Sequence, residues 1–216
     1  MSMKLKVLGL GLLAVMATSA FAVMNATAET GGHFVNDAPN GHATIVGVES
    51  GEHRLHLSGP TEGIVGCEIA TYHGTTTNAT ETQLDITPTY KNCGTTPNTD
   101  ESVKVTTNGC KYRFTVGNGG TFGTADLVGC TTPLEIHHPN CTITVAPQNN
   151  LSSVHYTRVT ESGKHAITLD VNVEFATQYH GGICIFLGTN QKGRLSGSVT
   201  VSGRDTENNA VNITAT

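Results

Sequence analysis

His165-Ala-Ile-Thr-Leu-Asp-Val-Asn-Val-Glu-Phe175 decides the fold class. Ile167, Leu169, Val171, Val173 and Phe175 fall at every second position on one face, with Ala166, Thr168, Asp170, Asn172 and Glu174 on the other. Side chains alternate across a strand, so this segment has one face for a core and one for water. Val103-Lys-Val105, Cys141-Thr-Ile-Thr-Val145 and Val199-Thr-Val201 alternate in the same way. In His53-Arg-Leu-His-Leu57 the pattern puts Leu55 and Leu57 inward, with His53 and His56 on opposite faces.

Outward from these runs lie the punctuation marks Pro39-Asn-Gly41, Glu49-Ser-Gly51, Asn108-Gly109, Gly117-Asn-Gly-Gly120, His138-Pro-Asn140, Ser162-Gly163 and Lys192-Gly193. Asn-Gly between β runs is a hairpin signal because both residues tolerate positive φ. About a dozen short strands at 8–12-residue spacing predict an antiparallel, sandwich-like all-β fold, as one domain or two small β subdomains. Composition agrees. Charged residues are 13% of the chain, about half the ~25% usual in soluble proteins, and there is no Trp. Thr, Asn, Gly and Val dominate, which suits strands and turns better than helices.

Lys4 and Lys6, the apolar run Val7–Ala17 and the exit Ala20-Phe-Ala22 read as a secretory signal peptide over residues 1–22. The run is well short of the ~20 apolar residues of a spanning helix. A second small-residue exit, Ala26-Thr-Ala28, offers an alternative cleavage point; cleavage after Ala22 is preferred. No apolar stretch follows, so a secreted chain without a membrane anchor is expected. Residues 23–40, polar and Gly/Asn-rich, are expected to be a flexible leader, and residues 41–216 the β domain. Removing Lys4 and Lys6 lowers the basic count from 12 to 10 against 17 acids, so the net charge moves from −5 to −7. That balance argues against nucleic acid as a partner.

The six cysteines, Cys67, Cys93, Cys110, Cys130, Cys141 and Cys184, all lie beyond the signal. An even number in an exported chain reads as disulfides. Zinc prefers close pairs such as C-x-x-C, and none occurs. Six cysteines allow 15 connectivities. Hairpin geometry favours neighbours: Cys67 opens a β run and Cys93 closes the next, and Cys110 and Cys130 flank the Gly117–Gly123 loop. Cys141 is left with Cys184. Each closure removes ~3–4 kcal/mol of unfolded-state entropy in the loop model.

Ile86-Thr-Pro-Thr-Tyr-Lys-Asn-Cys93, Val103-x-Val105, Asn108-Gly-Cys-Lys-Tyr112, Cys141-Thr-Ile-Thr-Val145 and the Gly-x-Val-Thr-Val-x-Gly ending at Gly197–Gly203 follow one another along residues 64–203. This spaced pattern resembles a group of uncharacterised exported proteins from actinobacterial genomes. The resemblance implies export, β structure and six paired cysteines, and implies no activity. The ten histidines here depart from that group.

No Gly-x-Ser-x-Gly elbow occurs, and Ser196 and Ser198 read as the wet face of a strand. Asp85, Glu135, Asp170 and Glu174 are the carboxylates a polysaccharide hydrolase would draw on. Asp170 and Glu174 are four residues apart on one strand face, ~13 Å, too wide for either glycosidase geometry. His137, His138, His155 and His180 are the candidates for a metal site assembled from distant residues. Tyr72, Tyr90, Tyr112, Tyr156 and Tyr179 are available to a glycan platform. With no catalytic constellation and no implied cofactor, the expected function is extracellular binding, of a protein or a glycan, or a structural surface role. A secreted hydrolase and a His-based metal-binding protein are the alternatives.

Overall fold

The computed structural model describes residues 31–57, 63–96, 103–139, 141–181 and 190–216. The signal peptide, both cleavage points and Cys184 lie outside the described residues. Long strands dominate: β2 (Thr44–Leu57), β3 (Gly63–Thr75), β5 (Gln83–Thr96), β11 (Gln148–Glu161), β12 (Lys164–His180) and β13 (Asn190–Arg204). Shorter ones are β1 (Phe34–Asn36), β4 (Thr80–Glu81), β6 (Lys104–Thr106), β7 (Lys111–Val116), β8 (Phe122–Val128), β9 (Leu134–His138), β10 (Cys141–Val145), β14 (Ala210–Val211) and β15 (Ile213–Ala215).

The sandwich expectation is corrected to a barrel. β13-β2-β3-β5-β7-β8-β11-β12 form an antiparallel series, and β12 pairs back onto β13 from Ile167↔Val201 to Gln178↔Asn190. That pairing closes an eight-stranded ring. Alternation cannot separate the two architectures, because both bury one face of each strand. One ring also replaces the two-subdomain alternative.

Half of the wall has two tiers. β11 pairs with β12 over Lys164–Val171, and β10 pairs with it over Gln178–His180. β10 continues through β9 to β6, and a single bridge, Cys93↔Val103, returns to β5. Between β5 and β12 the wall is therefore β7-β8-β11 at one end and β6-β9-β10 at the other. Gln148 sits at the junction, where its amide accepts from the Ala176 N–H (2.7 Å) and donates to the Ala176 carbonyl (2.9 Å). A side chain thus completes the pairing where one strand hands over to another.

Several turn signals are not turns. Ser162 (φ 50°) and Gly163 (φ 78°) do make the two-residue β11–β12 hairpin, whose last pair is Glu161↔Lys164. Glu49-Ser-Gly51, by contrast, falls inside β2 at a register shift between Val48 and Arg54. Gly193 falls inside β13, where a Cβ would stand 2.7 Å from the Phe175 ring. Glycine in these strands serves bulges and close packing, and the strands run longer than spacing predicted.

The flexible-leader expectation is corrected over residues 31–40. Phe34–Asn36 pairs with Ile213–Ala215 on one side and with β4 on the other, so it is the central strand of one small sheet. Phe34 is 1% and Ile213 0% exposed, and the Phe34 ring meets Tyr156 edge-on at 5.7 Å. Buried Asn36 donates to the Asn78 carbonyl (2.9 Å) and the Thr76 hydroxyl (3.1 Å). Polar composition hid the two buried side chains that anchor this segment.

Candidate ligand-binding cavity

Cys67 and Cys93 face each other across β3 and β5 and are bonded; Cys110 and Cys130 close the base of the β7–β8 hairpin and are bonded. Cys141 is disulfide-bonded as well. The expected partner, Cys184, lies outside the described residues.

Just beyond the first disulfide, both strands change phase. Cys67 and Cys93 point inward, and so do Ala70 and Tyr90, which pair three residues further on. Two consecutive residues on each strand therefore face out: Glu68 with Ile69, and Lys91 with Asn92. Asn92 takes φ 52°, and its amide donates to the Glu68 carboxylate at 3.1 Å. This local irregularity turns Tyr72 and Tyr90 into the barrel.

Inside, the barrel is packed at the end plugged by Phe34 and Ile213 and is hollow further along. The hollow is a cavity of about 90 Å³ lined by apolar side chains of both wall tiers, among them Leu55, Leu127, Ile136, Val173 and Phe175. Four polar side chains enter it: His53, Tyr72, Tyr90 and Tyr112. The Tyr72 hydroxyl is hydrogen-bonded to Nδ1 of His53. Tyr90 and Tyr112 are joined hydroxyl to hydroxyl at 2.9 Å, and the Tyr72 and Tyr90 rings meet edge-on at 6.3 Å. The four form two hydrogen-bonded pairs side by side along the cavity wall. Nε2 of His53 makes no hydrogen bond and is closed off from the cavity, its edge of the ring lying against the Gly197 backbone.

Burial sets the protonation of these four side chains. It pushes the His53 pKa below its ordinary value, against smaller opposing effects of the Glu49 carboxylate and the Ser198 backbone. Burial raises the pKa of Tyr72, Tyr90 and Tyr112. Imidazole and phenols are therefore neutral near pH 7, as an apolar surround demands. Gly197 makes room for the ring: a Cβ there would stand 2.0 Å from Cδ2 of His53.

The residues singled out for other chemistry are not gathered into a site. His137 is bonded to Glu135 (2.8 Å) and to Thr142 (3.1 Å), and His180 to Thr144 (3.1 Å). His138 pairs across the β9–β10 turn with Cys141, and His155 lies two strands from β10, its ring tilted against Phe122 at 4.8 Å. Among the described residues no three His, Cys, Asp or Glu side chains converge on a metal position. Ser198, Asp170 and His155 do stand in one row across β13, β12 and β11. The serine hydroxyl bonds to Asp170, with His155 on the far side at 3.7 Å. A nucleophile needs its base beside it, so this order does not activate Ser198. Asp85 is held by Arg113 through two bonds of 2.7 and 2.9 Å, which lower its pKa, and Glu174 reaches Lys192 at 4.0 Å. The five tyrosines offer no outer platform: Tyr72, Tyr156 and Tyr179 are buried, and Tyr90 and Tyr112 are half-buried against the core.

From the sequence His53 is given no role and Tyr72 only a place on a glycan platform, and neither is expected to line a cavity. A signal existed for His53, which shares the inward phase of Leu55. The phase change that turns Tyr72 and Tyr90 inward left no period-2 trace. No family model matches the chain, and no curated protein or solved structure matches it.

Proposed function

We propose that this protein is an exported, disulfide-stapled binding module that takes a small molecule into its barrel. The cavity carries this reading. Protein interiors are packed as densely as organic crystals, with few voids larger than a water. At ~24 cal/mol per Å³, a void of this size costs about 2 kcal/mol. A bound molecule would offset that cost. The volume also limits the ligand. Pockets for drug-sized ligands span about 300–1,000 Å³, and an engineered cavity of about 150 Å³ takes benzene. A cavity of about 90 Å³ suits a ligand smaller than benzene, such as a short branched group, not a long acyl chain. The inward tyrosines favour a small molecule over a glycan laid on an aromatic platform. Export and paired cysteines fit a protein that works outside the cell.

The test is a titration of the oxidised protein with xenon and isobutane, followed by methyl NMR. Saturable shifts confined to cavity-lining methyls such as those of Leu55, Leu127 and Val173 are expected. Absence of any such shift near ligand solubility would refute the reading. Intact mass of the protein recovered from the medium tests export: the chain should start after Ala22 and carry no free thiol.

A further inference from the structure

We infer that a ligand enters the cavity through the seam between the two wall tiers on β12, and that Leu151 is the side chain that closes it. This rests on reading the barrel interior as a ligand cavity. Three observations carry it. First, the ladder is interrupted at the seam. β11 pairs with β12 as far as Val154↔Val171, and β10 takes over at Thr144↔Gln178. Among the described residues no strand pairs with residues 172–177 of β12 on that side. The β11–β12 hairpin closes on Glu161↔Lys164, and the Ala176 N–H and carbonyl both meet the Gln148 amide. The even-numbered residues of β12 therefore turn their backbone groups toward β11. Between the last pair and the Gln148 bridge, Asn172 and Glu174 face a break of ~13 Å, at ~3.3 Å per residue. Second, β11 is irregular beside the break. Its register against β8 shifts on both sides of Leu151. Ser152 and Ser153 are both exposed, where a regular strand turns one of two neighbours inward. The Asn150 N–H donates to the Asp126 carboxylate at 2.5 Å. Third, Leu151 belongs to both sides of the wall. It is half-buried against the core and lines the cavity. It also lines an open groove on the outer surface, with Asn150, Ser152, Asn172, Glu174 and Arg194. No other described residue lines both.

The rest of the ring is harder to open. The β2–β3 register shift between Val48 and Arg54 is packed by His53, which is bonded to Tyr72. The opposite seam, on β5 between Ile86↔Tyr112 and Cys93↔Val103, is spanned by the hydroxyl bond from Tyr90 to Tyr112. Where strands are paired, an opening breaks ladder hydrogen bonds and leaves buried groups unmatched. Turning the Leu151 side chain out into the groove breaks none. The other groove residues are polar or charged, so an apolar molecule is not held there and moves on into the cavity.

The test measures rates with the probes of the cavity itself, xenon and isobutane. Exchange between free and bound gas is read by ¹²⁹Xe and methyl exchange NMR, with dissociation constants from the same samples. Leu151→Ala should raise the entry rate constant at least tenfold. Leu55→Ala deletes the same groups from the cavity lining away from the seam, and Tyr90→Phe unlinks the opposite seam. Both should stay within threefold of wild type. Glu174→Trp covers the groove from outside and leaves the lining intact, so entry and exit should both slow at least fivefold with the dissociation constant unchanged. Should Leu151→Ala not fold, Glu174→Trp decides alone. Entry that Leu55→Ala or Tyr90→Phe accelerates as much as Leu151→Ala does, or that Glu174→Trp leaves unchanged, overturns the seam and leaves the cavity reading intact. If neither gas binds, the cavity reading fails and the seam with it.

Discussion

Replacing Cys67 and Cys93 together should cost the barrel about 4–5 kcal/mol. The two cysteines are 26 residues apart. In the loop-entropy model that closure removes ~11.8 cal/mol/K from the unfolded ensemble, or about 3.5 kcal/mol at 25 °C. Both side chains are buried, Cys67 at 9% and Cys93 at 3% exposure. Truncating two buried sulfurs to Cβ adds roughly 1 kcal/mol of lost burial. The paired variant Cys67→Ala/Cys93→Ala should therefore unfold about 4–5 kcal/mol more easily. With an m-value of ~2 kcal/mol/M, the urea midpoint falls by about 2 M. The assay is urea unfolding followed by far-UV circular dichroism, extrapolated to water, because the freed chain expands and raises m. Cys110→Ala/Cys130→Ala is the control. Its span is 20 residues, and the same model gives about 3.3 kcal/mol. The logarithm makes the two loop terms almost equal, so the two variants should shift by similar amounts. A midpoint shift below ~0.5 M for the first pair would refute the reasoning, since it would mean that the β3–β5 hairpin persists in the unfolded chain.

Three further outcomes are expected. His53 has a folded-state pKa below that of the unfolded chain, so the unfolded state takes up its proton first as pH falls. Stability should drop with a slope of up to ~1.4 kcal/mol per pH unit from the unfolded imidazole value of ~6.5 downward, and level off below the folded value. His53→Gln should remove that slope in urea midpoints measured from pH 7.5 to 5. Asp85 has the opposite sign: its pKa is depressed by Arg113, so its contribution is present above the unfolded carboxylate value of ~3.9 and is lost as pH falls through the folded one. The stability gap between wild type and Asp85→Asn should close on the acid side, and a gap that persists unchanged at pH 2 would exclude the ion pair as its source. Gly123→Ala places a Cβ 1.8 Å from the Thr115 carbonyl and 2.9 Å from the Tyr156 hydroxyl. It should cost at least the upper end of the ~1–3 kcal/mol seen for overpacking, read as a fall in melting temperature.

How much of this was legible depends on the range of the interaction. Most of the inward set of β12 could be read directly, because Ile167, Leu169, Val173 and Phe175 keep one phase and are buried, whereas Val171 is only half-buried and Ala166, read as wet, is buried as well. The Ser162-Gly163 hairpin was legible for the same reason: the interaction is local. The disulfide neighbours followed from hairpins closed over 26 and 20 residues. Closure of the ring was not legible, since β13 pairs with β2 across most of the chain, and Gly203↔Ile45 has no local mark. The cavity was invisible for a subtler reason. It depends on two phase changes in opposite strands, at Glu68–Ile69 and at Lys91–Asn92, and each alone reads as a break in a strand.

Ring closure also accounts for the unusual composition. An open sheet guards its edges with lysine, proline and inward charges, whereas a closed barrel has few edges to guard. A chain with only 13% charged residues can therefore cover its outer face with Thr, Ser and Asn, as in the Thr168–Thr200 pair across β12 and β13. The interior is held to a stricter rule. Buried Asn36, Thr76, Thr124 and Thr177 each find a hydrogen-bond partner. Among the described residues, the enclosed side-chain atoms without one are Nδ1 of His33 and Nε2 of His53. His33 is only half-buried, just before β1, where its backbone exchanges hydrogen bonds with Thr216. His53 packs in a core that is satisfied almost everywhere else, its Nε2 edge closed off by the β13 backbone at Gly197. The strict interior rule therefore yields at a ring wedged between two strands, and the unfilled volume beside it is bounded almost wholly by hydrocarbon.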